Sequence, residues 1–164
     1  MPVLGHGDFV LFESKAIATY LDRSFPAPYV FPSEHRLAAL TEQWVSLVNT
    51  LIDRTFIRTY LYAYIAPKTA DGRPDREVIE AVLPALREQI GVLDRAVAKN
   101  SYLVGDQFTF ADINLLPILY RLRQVPEGAE ALAAATHLTR QHAARPSFES
   151  TIPPSGPPRR DTPG

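Results

Sequence analysis

The chain has 164 residues, with 17 Lys plus Arg against 18 Asp plus Glu, a net charge of −1 and no cysteine. This balance gives no general attraction for nucleic-acid phosphates or anionic lipid, and the missing thiols exclude a disulfide scaffold, a thiolate zinc site and a cysteine nucleophile within these residues. No apolar run approaches the ~20 residues of a membrane span and no basic-then-apolar leader opens the chain, so it reads as an unexported, cytoplasmic protein without nucleic-acid or membrane partners.

The opening PVLGHGDFVLF holds two short apolar runs separated by Gly5-His6-Gly7-Asp8, a β-hairpin pattern with its turn in that polar interval. Ser14 follows as a helix N-cap, with Ile17, Tyr20 and Leu21 on one face of a short helix. Between Phe25 and Pro32, three prolines remove backbone donors and restrict the residues before them, so no regular element crosses this linker. A hairpin alone is marginal in water, and its outer edges call for something to pair with them.

From Ser33 the stripe Leu37, Leu40, Trp44, Leu47, Val48, Leu51 and Ile52 predicts a long helix, continuing through Phe56 and Tyr60 until Pro67. Pro74 is placed for the next helix start, and Ile79, Val82, Leu83, Leu86, Ile90 and Leu93 make its stripe, with Pro84 kinking rather than ending it. Thr109 and Asp112 form a T-x-x-D variant of the capping box, flanked by Phe108 and Ile113 at staple spacing, so a buried helix begins at Thr109. Glu127 to Ala144 is alanine-rich and favours helix, whereas Ser155 to Gly164 is dominated by Pro, Gly and charge and reads as a disordered tail.

Three blocks in this order, PVLGHGDFVLFESKAIATYLD, FTFADI and ARPSFESTIPP, resemble the glutathione transferase family. The resemblance implies a mainly α protein: residues 1–24 a partial thioredoxin-like N-terminal domain of hairpin and helix, 25–32 a linker, 33–152 the all-helical C-terminal domain, and 153–164 a Pro-rich tail. It further implies conjugation of the glutathione thiolate, as co-substrate, to small hydrophobic electrophiles by a homodimer. Non-catalytic relatives such as elongation-factor gamma subunits share much of the pattern, so a binding or assembly module, or an inactive truncated remnant, stands as the alternative.

Under the resemblance, Glu13 and Ser14 hold the γ-glutamyl end of glutathione, the serine and the helix-start amides receiving its carboxylate and Glu13 accepting from its ammonium. An exposed helix N-terminus suits an anion, although Ser14 read locally needs only to be an N-cap. Pro2 matches the cis-proline that opens the family's third strand, and Met1 the residue that pairs with the cysteinyl part. The activating Tyr, Ser or Cys of the family sits after a first strand that this sequence does not contain, so no catalytic residue is assigned.

Along the long helix, Asn49, Arg54, Arg58, Tyr60, Tyr62 and Tyr64 could wall an electrophile pocket, but aromatic residues on a helix more often serve as core. Asp112 is explained as a cap. His6, His35, His137 and His142 show no metal spacing, and no metal is assigned.

Overall fold

The computed structural model describes residues 2–138 and residue 151; the C-terminal tail from residue 153 lies outside them. Strand β1 (Val3–His6) pairs antiparallel with β2 (Phe9–Phe12) in the register Val3 to Phe12 and His6 to Phe9. The turn is shorter than the polar interval suggested. Gly5 and His6 pair within the strand, and the reversal falls on Gly7 and Asp8, Gly7 taking φ +63°, a conformation that costs glycine nothing.

Helix α1 (Ser14–Ser24) packs one side against the hairpin: the Tyr20 ring lies 5.3 Å from Phe9 and its hydroxyl is 2.6 Å from His6 Nδ1. The other face of the hairpin is open, with Val3 and Val10 each 64% exposed and Phe12 at 57%.

The long helical rod starts with α2 (His35–Leu47), capped by Glu34, whose carboxylate accepts from the Arg36 and Leu37 amides. It does not stay an α-helix. Residues Val48–Leu61 form a π segment, in which hydrogen bonds reach back five residues instead of four, and α3 (Tyr62–Ile65) closes the rod. Val48, Ile52, Phe56 and Tyr60 are buried in this wider winding, because apolar residues four apart stay on one face in either helix type. Upstream, Thr41 and Val45 are buried while Leu40 is 42% exposed, so the inward face lies beside the stripe expected there.

Helix α4 (Arg76–Val97) is capped by Asp75, which accepts from the Val78 amide, and it runs on through Pro84. Ile79, Leu86, Ile90 and Leu93 face the rod. Helix α5 (Phe110–Leu122) is the most buried, carrying Ala111, Leu115, Leu119 and Leu122 into the common core, and α6 (Pro126–Ala134) closes against α4 and α5.

The box at Thr109 forms as its spacing implied. Thr109 Oγ1 accepts from the Ala111 amide, and the Asp112 carboxylate accepts from the Thr109 amide at 2.9 Å and from the Leu103 amide at 3.0 Å. Asp112 is fully buried, and its two oxygens satisfy donors that would otherwise be stranded in the core. The fold is mainly α, with a two-stranded hairpin at its start.

Candidate functional site

The start of α1 departs from the expected capping. Glu13, not Ser14, occupies the N-cap position, and its side chain makes no capping hydrogen bond. Ser14 is the first helical residue, where its hydroxyl no longer faces the first-turn amides as a cap would. The cause lies in the backbone: the chain leaves β2 and enters α1 through Glu13 at φ 73°, ψ 122°, a left-handed conformation that a residue with a Cβ rarely adopts. Among the described residues it is the one non-glycine residue with positive φ. Such strain costs on the order of 1–3 kcal/mol and collects where a backbone is held for a purpose other than stability.

That bend has two results. The Glu13 carbonyl is still turned into the helix, accepting from the Ile17 amide at 2.9 Å. The side chains of Glu13 and Ser14 are both exposed, and among the described residues neither is engaged in a hydrogen bond or ion pair. A carboxylate, a hydroxyl and the unpaired first-turn amides of an eleven-residue helix therefore converge on solvent.

A groove of about 680 Å³ runs beside Glu13, between Phe9 and Leu11 of β2, Lys15 and Thr19 of α1, and Asn49 at the beginning of the π segment. Lys15 also donates to the Glu42 carboxylate, which ties the first turn of α1 to α2. Asn49 is held from the other side, its carbonyl accepting from Asn114 Nδ2 of α5 at 2.8 Å.

The remaining candidates on the rod do not share this groove. Tyr60 is fully buried and its hydroxyl donates to Glu127; Tyr64 donates to the same Glu127 oxygen. Arg58 pairs with Asp53 five residues back, as a π winding allows, and Tyr62 stands 47% exposed at the rod's far end. Arg54 is exposed as well. Asn49 is thus the one member of the set that reaches the groove containing Glu13. The Met1–Pro2 peptide lies outside the described residues, and Pro2 itself is exposed.

Sequence reasoning missed the cluster around Glu127. Its Oε1 accepts from Arg76 at 2.8 Å, Oε2 accepts from Tyr60 at 3.0 Å and from Tyr64, and the Gly128 amide donates to the Tyr60 hydroxyl at 2.8 Å. Burial pushes the Glu127 carboxyl up, but the hydrogen bonds from Tyr64, its own backbone, Arg76 and Tyr60 outweigh it and hold the group at about 2. Burial, then the Glu127 hydrogen bond, drives the Tyr60 hydroxyl well above the usual phenol range. This assembly locks α6 to the rod. It has the chemistry of a structural clamp.

Among the described residues no group of three or more His, Asp or Glu side chains could hold a metal, and no helix is long and apolar enough to cross a membrane.

The described residues form a hairpin and helix followed by an all-helical body, and comparison with known proteins gives the family of that architecture. The family description "Glutathione S-transferase, C-terminal domain" matches residues 52–143. Glutathione S-transferase 3 of Zea mays is 32% identical over 159 residues, covering 93% of this chain and 70% of that protein. Elongation factor 1-gamma 2 of Oryza sativa is 37% identical over 122 residues, covering 73% of this chain and 28% of that protein. A solved glutathione S-transferase I bound to lactoylglutathione superposes with a TM-score of 0.79 at 26% identity, over 92% of this chain and 72% of that one. The chain belongs to the glutathione S-transferase family.

Proposed function

We propose that this chain binds glutathione at the start of α1 and serves a glutathione transferase that conjugates the thiolate to small hydrophobic electrophiles. The observation that carries the reading is the strained turn at Glu13, which leaves its carboxylate and the Ser14 hydroxyl unspent beside the open amides of the helix. Ser14 and those amides receive the γ-glutamyl carboxylate, the positive end of the helix favouring the anion, and Glu13 accepts from the ammonium. Met1 and Pro2 take the cysteinyl backbone. The groove alongside, with Phe9 and Leu11 on one wall, offers apolar surface next to the bound peptide.

The protein works as a cytoplasmic homodimer, residues 1–24 acting as the thioredoxin-like part, 25–32 as linker and 33–152 as the helical domain. The reaction needs the sulfur as thiolate, and no residue of this chain is assigned to activate it. Titration of the purified chain with glutathione, in parallel with Ser14→Ala, tests the binding step. Saturable uptake weakened about tenfold by the substitution is expected for loss of a hydrogen bond to a charged ligand group. Uptake indifferent to Ser14 and Glu13 would overturn it, and turnover of a chlorodinitrobenzene measures conjugation directly.

The 37% identity to an elongation factor 1-gamma favours a second reading, a non-catalytic binding or assembly module built on the same helical body. A well-folded chain that takes up no glutathione, yet associates with a protein partner, would select it.

A further inference from the structure

Helix α1 carries the proposed glutathione contacts at its first residues, so their aim depends on what fixes the whole helix. Besides the exposed Tyr20–His6 contact with the hairpin, two polar ties among the described residues reach from α1 to the rest of the molecule. At the first turn, Lys15 pairs with Glu42 on α2, but both side chains are substantially exposed, 37% and 56%, and such a pair is weak and screened by salt. The second tie lies near the helix's other end. Asp22 Oδ1 accepts from the Val30 amide at 2.6 Å in a partly buried setting.

The peptide groups of Val30 connect two helices. Its N–H donates to Asp22 of α1, and its carbonyl accepts from the Phe110 amide at 2.8 Å. Phe110 opens α5, directly after the Thr109 cap, and its amide is one of the first-turn donors that a helix leaves without a partner of its own. The neighbouring Phe31 ring stacks on Phe110 at 5.0 Å, holding the strand of linker in place. A path of hydrogen bonds therefore runs from α1 through Val30 to the most rigidly capped helix of the core.

We infer that Asp22 is a positioning residue: through Val30 it fixes the orientation of α1, and with it the placement of Glu13 and Ser14. The inference rests on the glutathione reading for its functional consequence. A charge-assisted bond in a partly buried site holds geometry better than a solvated ion pair, so Asp22, not Lys15, is the controlling anchor.

The test compares Asp22→Ala with Asp22→Asn, which keeps a carbonyl oxygen at the same reach. Glutathione affinity is measured by titration, and amide hydrogen exchange is followed at Val30, Phe110 and Ile17, the last reporting the first helical hydrogen bond of α1. Asp22→Ala is expected to speed exchange at Val30 and Ile17 and to weaken glutathione binding about tenfold, with Asp22→Asn restoring most of both. Faster exchange at Val30 with affinity unchanged would overturn the inference, since Asp22 would then hold the linker without aiming the site.

If the unaltered chain binds no glutathione, the proposed function has failed separately. Exchange at Ile17 then decides: faster in Asp22→Ala but not in Asp22→Asn supports the anchor, and unchanged exchange refutes it. Should Asp22→Ala not fold, Asp22→Glu shifts the oxygen by one methylene and gives the same comparison, a loss of affinity supporting the inference and a retained affinity refuting it.

Discussion

The Gly128 amide donates to the Tyr60 hydroxyl at 2.8 Å, joining the first turn of α6 to the π segment across 68 residues of sequence. Tyr60 passes its own proton toward Glu127, so one buried phenol is both acceptor and donor. Gly128 can approach because it has no side chain: a Cβ there would stand 2.4 Å from the Leu122 carbonyl oxygen and 3.2 Å from Val125 Cγ2.

Gly128→Ala is therefore expected to destabilise the protein by about 3 kcal/mol, in the range for forcing backbone apart in a packed core. Urea unfolding measures it. A midpoint equal to that of the unaltered chain would show that α6 can retreat without cost.

Glu127→Gln removes the charge that three donors share. Hydrogen bonds to charged groups are worth more than neutral ones, and Glu127 is mostly buried, so a loss of about 2 kcal/mol is expected, discounted for the exposed side of the Arg76 pair.

The same carboxylate gives the protein an acid limit. Its folded value of about 2 lies below the ordinary 4.5, so the unfolded chain binds the extra proton first. The stabilisation is complete above pH 4.5, declines as pH falls below it, and is gone once pH passes through about 2. Stability measured across that interval should fall steeply for the unaltered chain and less steeply for Glu127→Gln; parallel curves would count against the assignment.

Asp112→Ala strands the Thr109 and Leu103 amides inside the core, and a cost of roughly 3 kcal/mol follows from leaving buried donors unsatisfied. Thermal melting followed by circular dichroism is the check, and a loss no larger than that of an exposed cap would contradict the burial argument.

At Glu13, glycine would relieve a conformation costing about 1 kcal/mol or more, offset in part by the added freedom of the unfolded chain. Glu13→Gly should match or exceed the parent in melting temperature while losing glutathione affinity. A clear drop in stability would mean that the turn is not strained.

Much of the body was legible because its signals are local. Thr109 and Asp112 lie one turn apart, so their reciprocal bonds follow from spacing alone, and the apolar stripe of α4 named its buried face directly. The start of α1 was not legible, since the positive φ of Glu13 is imposed where a strand must turn into a helix, and a serine after a strand reads as a cap wherever the backbone is ordinary. The π winding escaped for a different reason: Val48, Ile52, Phe56 and Tyr60 recur every four residues, a spacing that both helix types bury. Leu40 was read as inward because its hydrophobicity fits a stripe, yet the core lies along Thr41 and Val45. Nothing near Glu127 in sequence announces Tyr60, Tyr64 or Arg76, which arrive only through tertiary packing.

The uncovered side of the hairpin has a practical consequence for handling the protein. With a net charge of −1 the molecules scarcely repel one another, and Val3, Val10 and Phe12 form a sticky, β-prone surface. Colloidal behaviour will follow those three side chains more closely than ionic strength, and replacing Val10 with lysine is the simplest route to concentrated, well-dispersed samples.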